Sequence, residues 1–324
     1  MDASVSSRLP LADLFQALAD PTRLRILALL RTMELSVGEL AQVLGQSQPR
    51  VSRHVKILAD SGLVDRHKEG SWVFLALSPT PTAAALFALI DAAADEPSRA
   101  TLEGDRIRLN AVRAVRAEAA ERYFAAHAGM WDSIRSLHVP ESAVEEAIEQ
   151  ALGGRILGRL VDIGTGTGRM IELLGPKATA AIGIDRSSEM LRLARVKLDR
   201  AGIADAALRQ ADMYALPLAD GSADSAILHQ VLHYAHAPAA AIAEAARVLR
   251  PGGQLLVVDF AAHEREELRT ADAHVRLGFA DEAMAGWFRA AGIEPDTPRH
   301  LEGGELTVTL WRGTKAAALD RKAA

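Results

Sequence analysis

Residues 160–170 read LVDIGTGTGRM, and no other stretch of the chain limits its fold so tightly. An apolar run closing on Asp162 opens into glycines at alternate positions, Gly164, Gly166 and Gly168, and a helical pattern starts near Arg169. That order predicts a strand, a tight turn and a helix start. Glycine is needed in such a turn because a Cβ penalises positive φ and keeps the backbone from closing on a ligand. The turn's amides and the helix N-terminus then form a polar cradle. A glycine triplet alone is weak evidence, so the spacing beyond it matters. A second apolar strand, Ala180 to Ile184, ends in Asp185 about twenty residues on, where nucleotide-type folds place the acid that holds ribose hydroxyls. A third short strand candidate, Ala207 to Gln210, leads into Ala211-Asp212-Met213. Further strands at Ser225 to His229 and Gln254 to Phe260 alternate with helical patterns at Ser188 to Ala201 and Ala239 to Leu249. Such alternation predicts a parallel sheet with helices on both faces and ligands at the strand carboxyl ends.

The order D-x-G-x-G-x-G, then Asp185, then Asp212, resembles the class I S-adenosylmethionine-dependent methyltransferases more than a dehydrogenase, whose G-x-G-x-x-G spacing Arg169 interrupts. The run RVLRPGGQLLVVDF, Arg247 to Phe260, is similar to that family's wording. The resemblance, from about Tyr123 to Arg312, implies a Rossmann-like domain with a mainly parallel seven-stranded sheet. It implies S-adenosylmethionine as cofactor and S-adenosylhomocysteine as product. Asp162 would order the loop around the methionine portion, Gly164, Gly166 and Gly168 would let it approach, and Asp185 would accept from the ribose. Asp212 would accept from the adenine amino group, with Met213 and Arg186 flanking the ring and His229 facing the methyl. Tyr123 and Trp131, in the segment before the first strand, would line the substrate side or simply pack on the sheet.

Histidines gather after the fourth and fifth strands: His229, His233, His236, His263 and His274, with Asp259 nearby. Imidazole titrates near neutrality, so a general base among His229 and His263, with Asp259, is one expectation. His233 and His274 are candidates for the substrate side. A metal held by His229 and His233, four apart, and plain packing of His233 and His236 stay open. His229-Gln230-Val231-Leu232 stands where amino-group methylating enzymes of planar amides carry an Asn-Pro-Pro-Tyr-like tetrad, and the chain has no cysteine to hold arsenic. A small-molecule acceptor remains, a quinone-like or other hydroxylated ring among the candidates.

Upstream, the polar side of a predicted helix from Ser47 to about Ser61 carries Gln48, Arg50, Ser52, Arg53, His54 and Lys56, while Val51, Val55 and Leu58 form its apolar stripe. Such donors read base edges and grip phosphates. Helices at 6–20, from Asp20-Pro21-Thr22 onward, and from Val37 to Leu44, closed by Gly45, precede it. Two strands follow, 62–66 and 72–77, whose joining tip places Arg66, His67 and Lys68 as a wing. ALADPTRLRILALL and LAQVLGQSQPRVSRHVKILADSGLV resemble the ArsR/SmtB winged-helix repressors over residues 10–80. That resemblance implies a homodimer on double-stranded, palindromic operator DNA, contacted through residues 47–70 and released by an effector. Ser36 and Gly38 occupy the stretch where metal sensors of the family carry cysteines, so no metal is expected. Leu86, Phe87, Leu89 and Ile90 on the helix after the wing are expected to form the exposed dimer stripe.

The 324 residues suit two domains of ordinary size. The expected division is 1–95 for the winged helix, 96–152 for a helical connector and cofactor lid, 153–314 for the methyltransferase domain and 315–324 for a disordered tail. The absence of cysteine removes disulfides and fits a reducing cytoplasm, and the longest apolar run, 83–90, is too short for a bilayer. A net charge of −5 argues against indiscriminate nucleic-acid binding and leaves room for a local basic patch. Two readings follow: a regulator whose second half methylates a small molecule, or a non-catalytic sensor of the nucleoside that controls operator binding. A third keeps the winged helix only as a dimerisation module.

Overall fold

The computed structural model describes residues 11–32, 35–69, 72–78, 81–93, 95–127, 140–152, 156–203, 206–302 and 304–317. The chain divides into two compact units, residues 1–118 and 119–324.

In the first unit, helix α1 spans Leu11–Leu18 and α2 spans Pro21–Leu30. Asp20 separates them because it caps α2: its carboxylate accepts from the amides of Thr22 at 2.8 Å and Arg23 at 3.1 Å, and Pro21 supplies a helix-compatible φ. Strand β1, Leu35–Ser36, is too short for a sequence period and exists because it pairs with Leu75 and Phe74. Ser36 also starts α3, Val37–Leu44, through a reciprocal capping box with Glu39, and Gly45 ends it at φ 65°. Helix α4, Gln48–Asp60, follows with Ser47 in extended conformation at its cap. The Ser47 hydroxyl makes no cap hydrogen bond, so Pro49 in the first turn carries the start signal.

Strands β2, Val64–Glu69, and β3, Trp72–Leu77, form the wing, and the sheet order is β1-β3-β2. Their ladder extends to Glu69 opposite Trp72, longer than the sequence suggested. Arg66 and Lys68 therefore stand in the ladder, opposite Leu75 and Val73, rather than at the tip. Helix α5, Pro81–Ala93, buries Leu86 and Phe87, with the Arg31 guanidinium 5.2 Å from the Phe87 ring. Only Leu89 of the expected stripe is strongly exposed. Helix α6, Glu96–His127, starts within this unit. Asp105, 1% exposed, takes a two-pronged bond from Arg25 (2.6 and 2.7 Å) and pairs with Arg108, which also donates to the Val43 carbonyl at 2.8 Å. Residues 96–118, expected in a connector, thus fold with the winged helix.

The second unit holds α7 (Glu141–Ala151), β4 (Arg159–Ile163), α8 (Arg169–Leu174), β5 (Ala180–Asp185), α9 (Ser188–Arg200), β6 (Ala207–Gln210) and β7 (Ala223–His229). It continues through α10 (Pro238–Val248), β8 (Leu249–Phe260), α11 (Leu268–Ala271), α12 (Asp281–Ala290), β9 (Ile293–Pro295), β10 (Arg299–Leu301) and β11 (Val308–Lys315). The strand order is β10-β11-β8-β7-β4-β5-β6, parallel from β8 to β6, with β11 antiparallel to β8. Seven strands lie on this path, and the eighth, β9, joins β10 as one interrupted edge against successive parts of β11. Pro298, which has no N–H to give a ladder, lies in the interruption. Lys315, expected in a loose tail, is the last residue of β11, and its ammonium donates to the carbonyls of Ala246 and Leu249 at 2.8 and 2.6 Å.

Alternation in the strands feeds two cores. Val161, Ile163, Ala226, Leu228 and Val257 meet α10 and α12 on one face, while Leu160, Ile227, Leu256 and Val258 meet α7 and α8 on the other. A sheet buried on both faces needs near-continuous apolar strands, which is why 160–163 and 226–228 read as they do. Its carboxyl edge is left for a ligand.

Candidate functional site

The glycine turn forms as the sequence requires. Gly164, Gly166 and Gly168 have φ of 75°, 52° and 82°. A Cβ on Gly164 would lie 2.4 Å from Val231 Cγ2, so the chain after β7 leans directly on the turn. Gly168 caps α8. Asp162, 1% exposed, accepts the Thr165 hydroxyl at 2.6 Å and fixes the turn from below.

Asp185 ends β5, half-buried, and braces the other side. One carboxylate oxygen accepts the Gly166 amide at 2.8 Å and the other accepts the Ser187 amide at 2.8 Å. Surrounding protein pushes its carboxyl pKa up, and the amides of Ser187, Gly166 and Arg186 pull part of that back. Three amide donors leave roughly one of a carboxylate's four lone-pair sites for a ribose hydroxyl. Arg186 is exposed, and its carbonyl accepts from Gln210 at 2.9 Å, tying the ends of β5 and β6. Asp212 is exposed beyond β6, accepting the Tyr214 amide at 3.0 Å, and Met213 packs partly into the core. Asp162, the three glycines, Asp185, Arg186, Asp212 and Met213 therefore all stand at carboxyl ends of β4, β5 and β6.

His229 ends β7, 8% exposed. Gln230 follows at φ 49°, a conformation uncommon outside glycine, and this turn brings Val231 onto Gly164. A one-turn helix, Leu232–Tyr234, comes next, so His229 and His233 do not share a helix face as a metal pair would. Asp259 bonds His233 and not His263: His233 Nδ1 lies 2.8 Å from Asp259 Oδ1, whereas His263 Nδ1 accepts the Arg265 amide at 3.2 Å. His274 packs at a tilt against His233, ring centroids 4.2 Å apart and planes at 39°. Tyr123 lies in α6, and its side chain and all of Trp131 fall outside the described residues.

Sequence reasoning missed several supports. Thr165 stood inside the motif without a role. Arg169, read only as a spacing break, donates to both Glu145 oxygens at 2.6 and 2.7 Å and to Glu172 at 2.7 Å, pinning α7 beside the glycine turn. The acids on α7 at i and i+4, Glu141 and Glu145, were the available signal.

In the first unit, Gln48, Arg50, Ser52, Arg53 and Lys56 are exposed on α4, opposite buried Val51, Val55 and Leu58. Arg66 is exposed on the wing, and the Lys68 side chain lies outside the described residues. His54 is turned away from that face, its Nδ1 3.7 Å from Asp20.

Fold and site together define a two-part protein, a winged-helix unit of the DNA-binding type followed by an α/β domain with a nucleotide-type cradle. Residues 20–66 match the bacterial regulatory proteins of the arsR family, and residues 161–257 match the methyltransferase domain. The chain carries an arsR-family helix-turn-helix domain at its N-terminus and a methyltransferase domain at its C-terminus. It is 51% identical over 67 residues to the arsenical resistance operon repressor of Escherichia coli, covering 20% of this chain and 57% of that protein. It is 32% identical over 139 residues to a phosphatidylethanolamine N-methyltransferase of Cereibacter sphaeroides, covering 42% of this chain and 66% of that enzyme. Among solved structures, a chain of the complex between the Haloferax volcanii Trm112 methyltransferase activator and its methyltransferase shares the fold, with TM-score 0.54 at 19% identity over 62% of this chain and 100% of that one. Among the described residues, no helix is long and apolar enough to cross a membrane.

Proposed function

We propose that the chain is an operator-binding regulator whose C-terminal domain binds S-adenosylmethionine and transfers its methyl group to a small molecule. The observation that carries this reading is the joint geometry of the glycine turn and Asp185, bonded to one another through the Gly166 amide. The fit is good on physical grounds: the turn itself carries no side chain at 164, 166 or 168, all at positive φ, and Asp185 keeps acceptor capacity for a ribose hydroxyl. Asp162 and the turn would hold the methionine portion, Asp185 the ribose, and Asp212 and Met213 the adenine. Bound there, the sulfonium supplies an electrophilic methyl group. The chain's own task is to align an acceptor with it and exclude water, which positioning alone makes worth many powers of ten in rate.

The exposed donors of α4 support groove and phosphate contact, with Arg66 on the wing beside them. Operator binding as a homodimer is supported by Phe15 on α1 and Leu89 on α5, 54% and 55% exposed apolar side chains that a symmetric partner would cover. In the second reading, the nucleoside acts only as an effector. A coupling of about 1–3 kcal/mol would give that switch. A mobility shift with the DNA upstream of the coding sequence, run without nucleoside, with S-adenosylmethionine and with S-adenosylhomocysteine, tests the regulator half and the effector reading. Retardation by the full chain is expected, and none at low salt refutes the regulator half.

A further inference from the structure

We propose that His233, held by Asp259, is the base that accepts the proton of a phenolic methyl acceptor; this rests on the methyltransferase reading above. Asp259 is 0% exposed near the end of β8, and its two oxygens take four donors. Oδ2 accepts the amides of Leu232 at 2.9 Å and His233 at 3.1 Å, while Oδ1 accepts the Phe260 amide at 2.8 Å and faces His233 Nδ1 at 2.8 Å. A carboxylate has about four lone-pair sites, so this one is filled and cannot turn. An acceptor-only partner at Nδ1 fixes the neutral imidazole with its proton on Nδ1 and its basic lone pair on Nε2. Nε2 makes no hydrogen bond with any described residue. The ring is also held mechanically. Its backbone carbonyl accepts the amides of Val275 at 3.1 Å and Arg276 at 2.9 Å, and Tyr234 and His274 sit against it at 4.0 and 4.2 Å between centroids.

His233, 2% exposed, sits on the loop that borders the cradle. Strand β7 runs beside β4, and Val231, two residues before His233, leans on Gly164. The same carboxyl edge therefore carries the donor turn and an oriented imidazole, the arrangement of base and orienting carboxylate that general-base catalysis requires.

The surroundings choose the acceptor. An ammonium acceptor needs a carboxylate with spare lone pairs, and Asp259 has none left. A phenol, with an ordinary pKa of about 10, gives up its proton far more readily than an aliphatic alcohol does. In the step, the phenol proton passes to His233 Nε2. The oxygen lone pair forms the bond to the donor's methyl carbon, and the carbon–sulfur bond breaks with its electron pair going to sulfur. The imidazolium then returns its proton to water.

The test uses the full chain, S-adenosylhomocysteine and 4-nitrophenol, whose ionised form absorbs visible light. At a pH below the phenol's own pKa, wild type with the nucleoside bound is expected to show the phenolate band. His233→Asn keeps a donor toward Asp259 but has no Nε2, and His233→Gln keeps an amide there that is no base. Both are expected to lose the band while binding S-adenosylhomocysteine as wild type does, and to lower methyl transfer to phenols about 100-fold or more. An equal band in either variant, or no band in wild type that binds the nucleoside, overturns the proposal. Absence of nucleoside binding in wild type overturns the donor reading with it, and calorimetry separates that result from the others.

Discussion

Adding one methyl group at Gly164 should cripple the cradle. Alanine there meets two costs. At φ 75° a left-handed backbone costs an L-residue about 1–2 kcal/mol. The new Cβ would also lie 2.4, 2.9 and 3.0 Å from three atoms of Val231, a β-branched side chain that cannot swing aside, adding about 1–3 kcal/mol of overpacking. The sum, about 2–5 kcal/mol, must appear as lost stability or, if the turn shifts, as weaker nucleoside binding. At about 1.4 kcal/mol per tenfold, the lower bound is roughly a thirtyfold loss of affinity. Calorimetric titration of S-adenosylhomocysteine and a thermal melt read both channels. The pair Gly164→Ala and Val231→Ala should recover the steric part and leave the backbone part, a coupling a double-mutant cycle isolates. A single Gly164→Ala variant with unchanged melting and affinity would refute the reasoning.

Other outcomes follow from the same geometry. Burial raises the Asp185 carboxyl pKa, while ribose hydroxyls donate to its ionised form. Nucleoside affinity should therefore weaken as pH falls through that raised value, with proton release on binding, measurable as a buffer-dependent heat; proton uptake contradicts it. Because the folded pKa lies above the unfolded one, the group costs the nucleoside-free fold stability as pH rises past about 4; Asp185→Asn should flatten that pH dependence of melting and, with an NH2 in place of one accepting oxygen, bind the nucleoside more weakly. Asp105→Asn leaves Arg25 and Arg108, which are 21% and 51% exposed, around an uncharged amide. A loss of about 1–3 kcal/mol, reduced by the water that reaches both guanidiniums, should lower the melting of the winged-helix unit by about 4 °C or more. Replacing Arg50 and Arg53 together by alanine should cost about 2 kcal/mol or more of operator affinity and flatten its salt dependence, read by mobility shift.

Much of this was legible in residue order. The glycine turn, Asp185 and the strand alternation announce themselves because backbone conformation and burial on both faces restrict residue choice there. The recognition helix was equally plain, since its apolar spacing and its polar donors sit on opposite sides. Less legible were features set by distant partners. Strand β1 exists only through Leu75 and Phe74, and the broken edge of β9 and β10 only through β11. Nothing local marks Asp105, whose partner Arg25 lies eighty positions earlier. The Asp259–His233 pair is of the same kind. Sequence offered five histidines near one aspartate, and only the parallel neighbours β7 and β8 decide which ring the carboxylate meets.

The most direct test of the central claim is amide chemical-shift mapping of the isotopically labelled full chain as S-adenosylhomocysteine is added. The account predicts saturable shifts concentrated at Gly164, Gly166, Gly168, Asp185 and Asp212. No shifts at millimolar nucleoside, or shifts confined to residues away from the carboxyl ends of β4, β5 and β6, would contradict it.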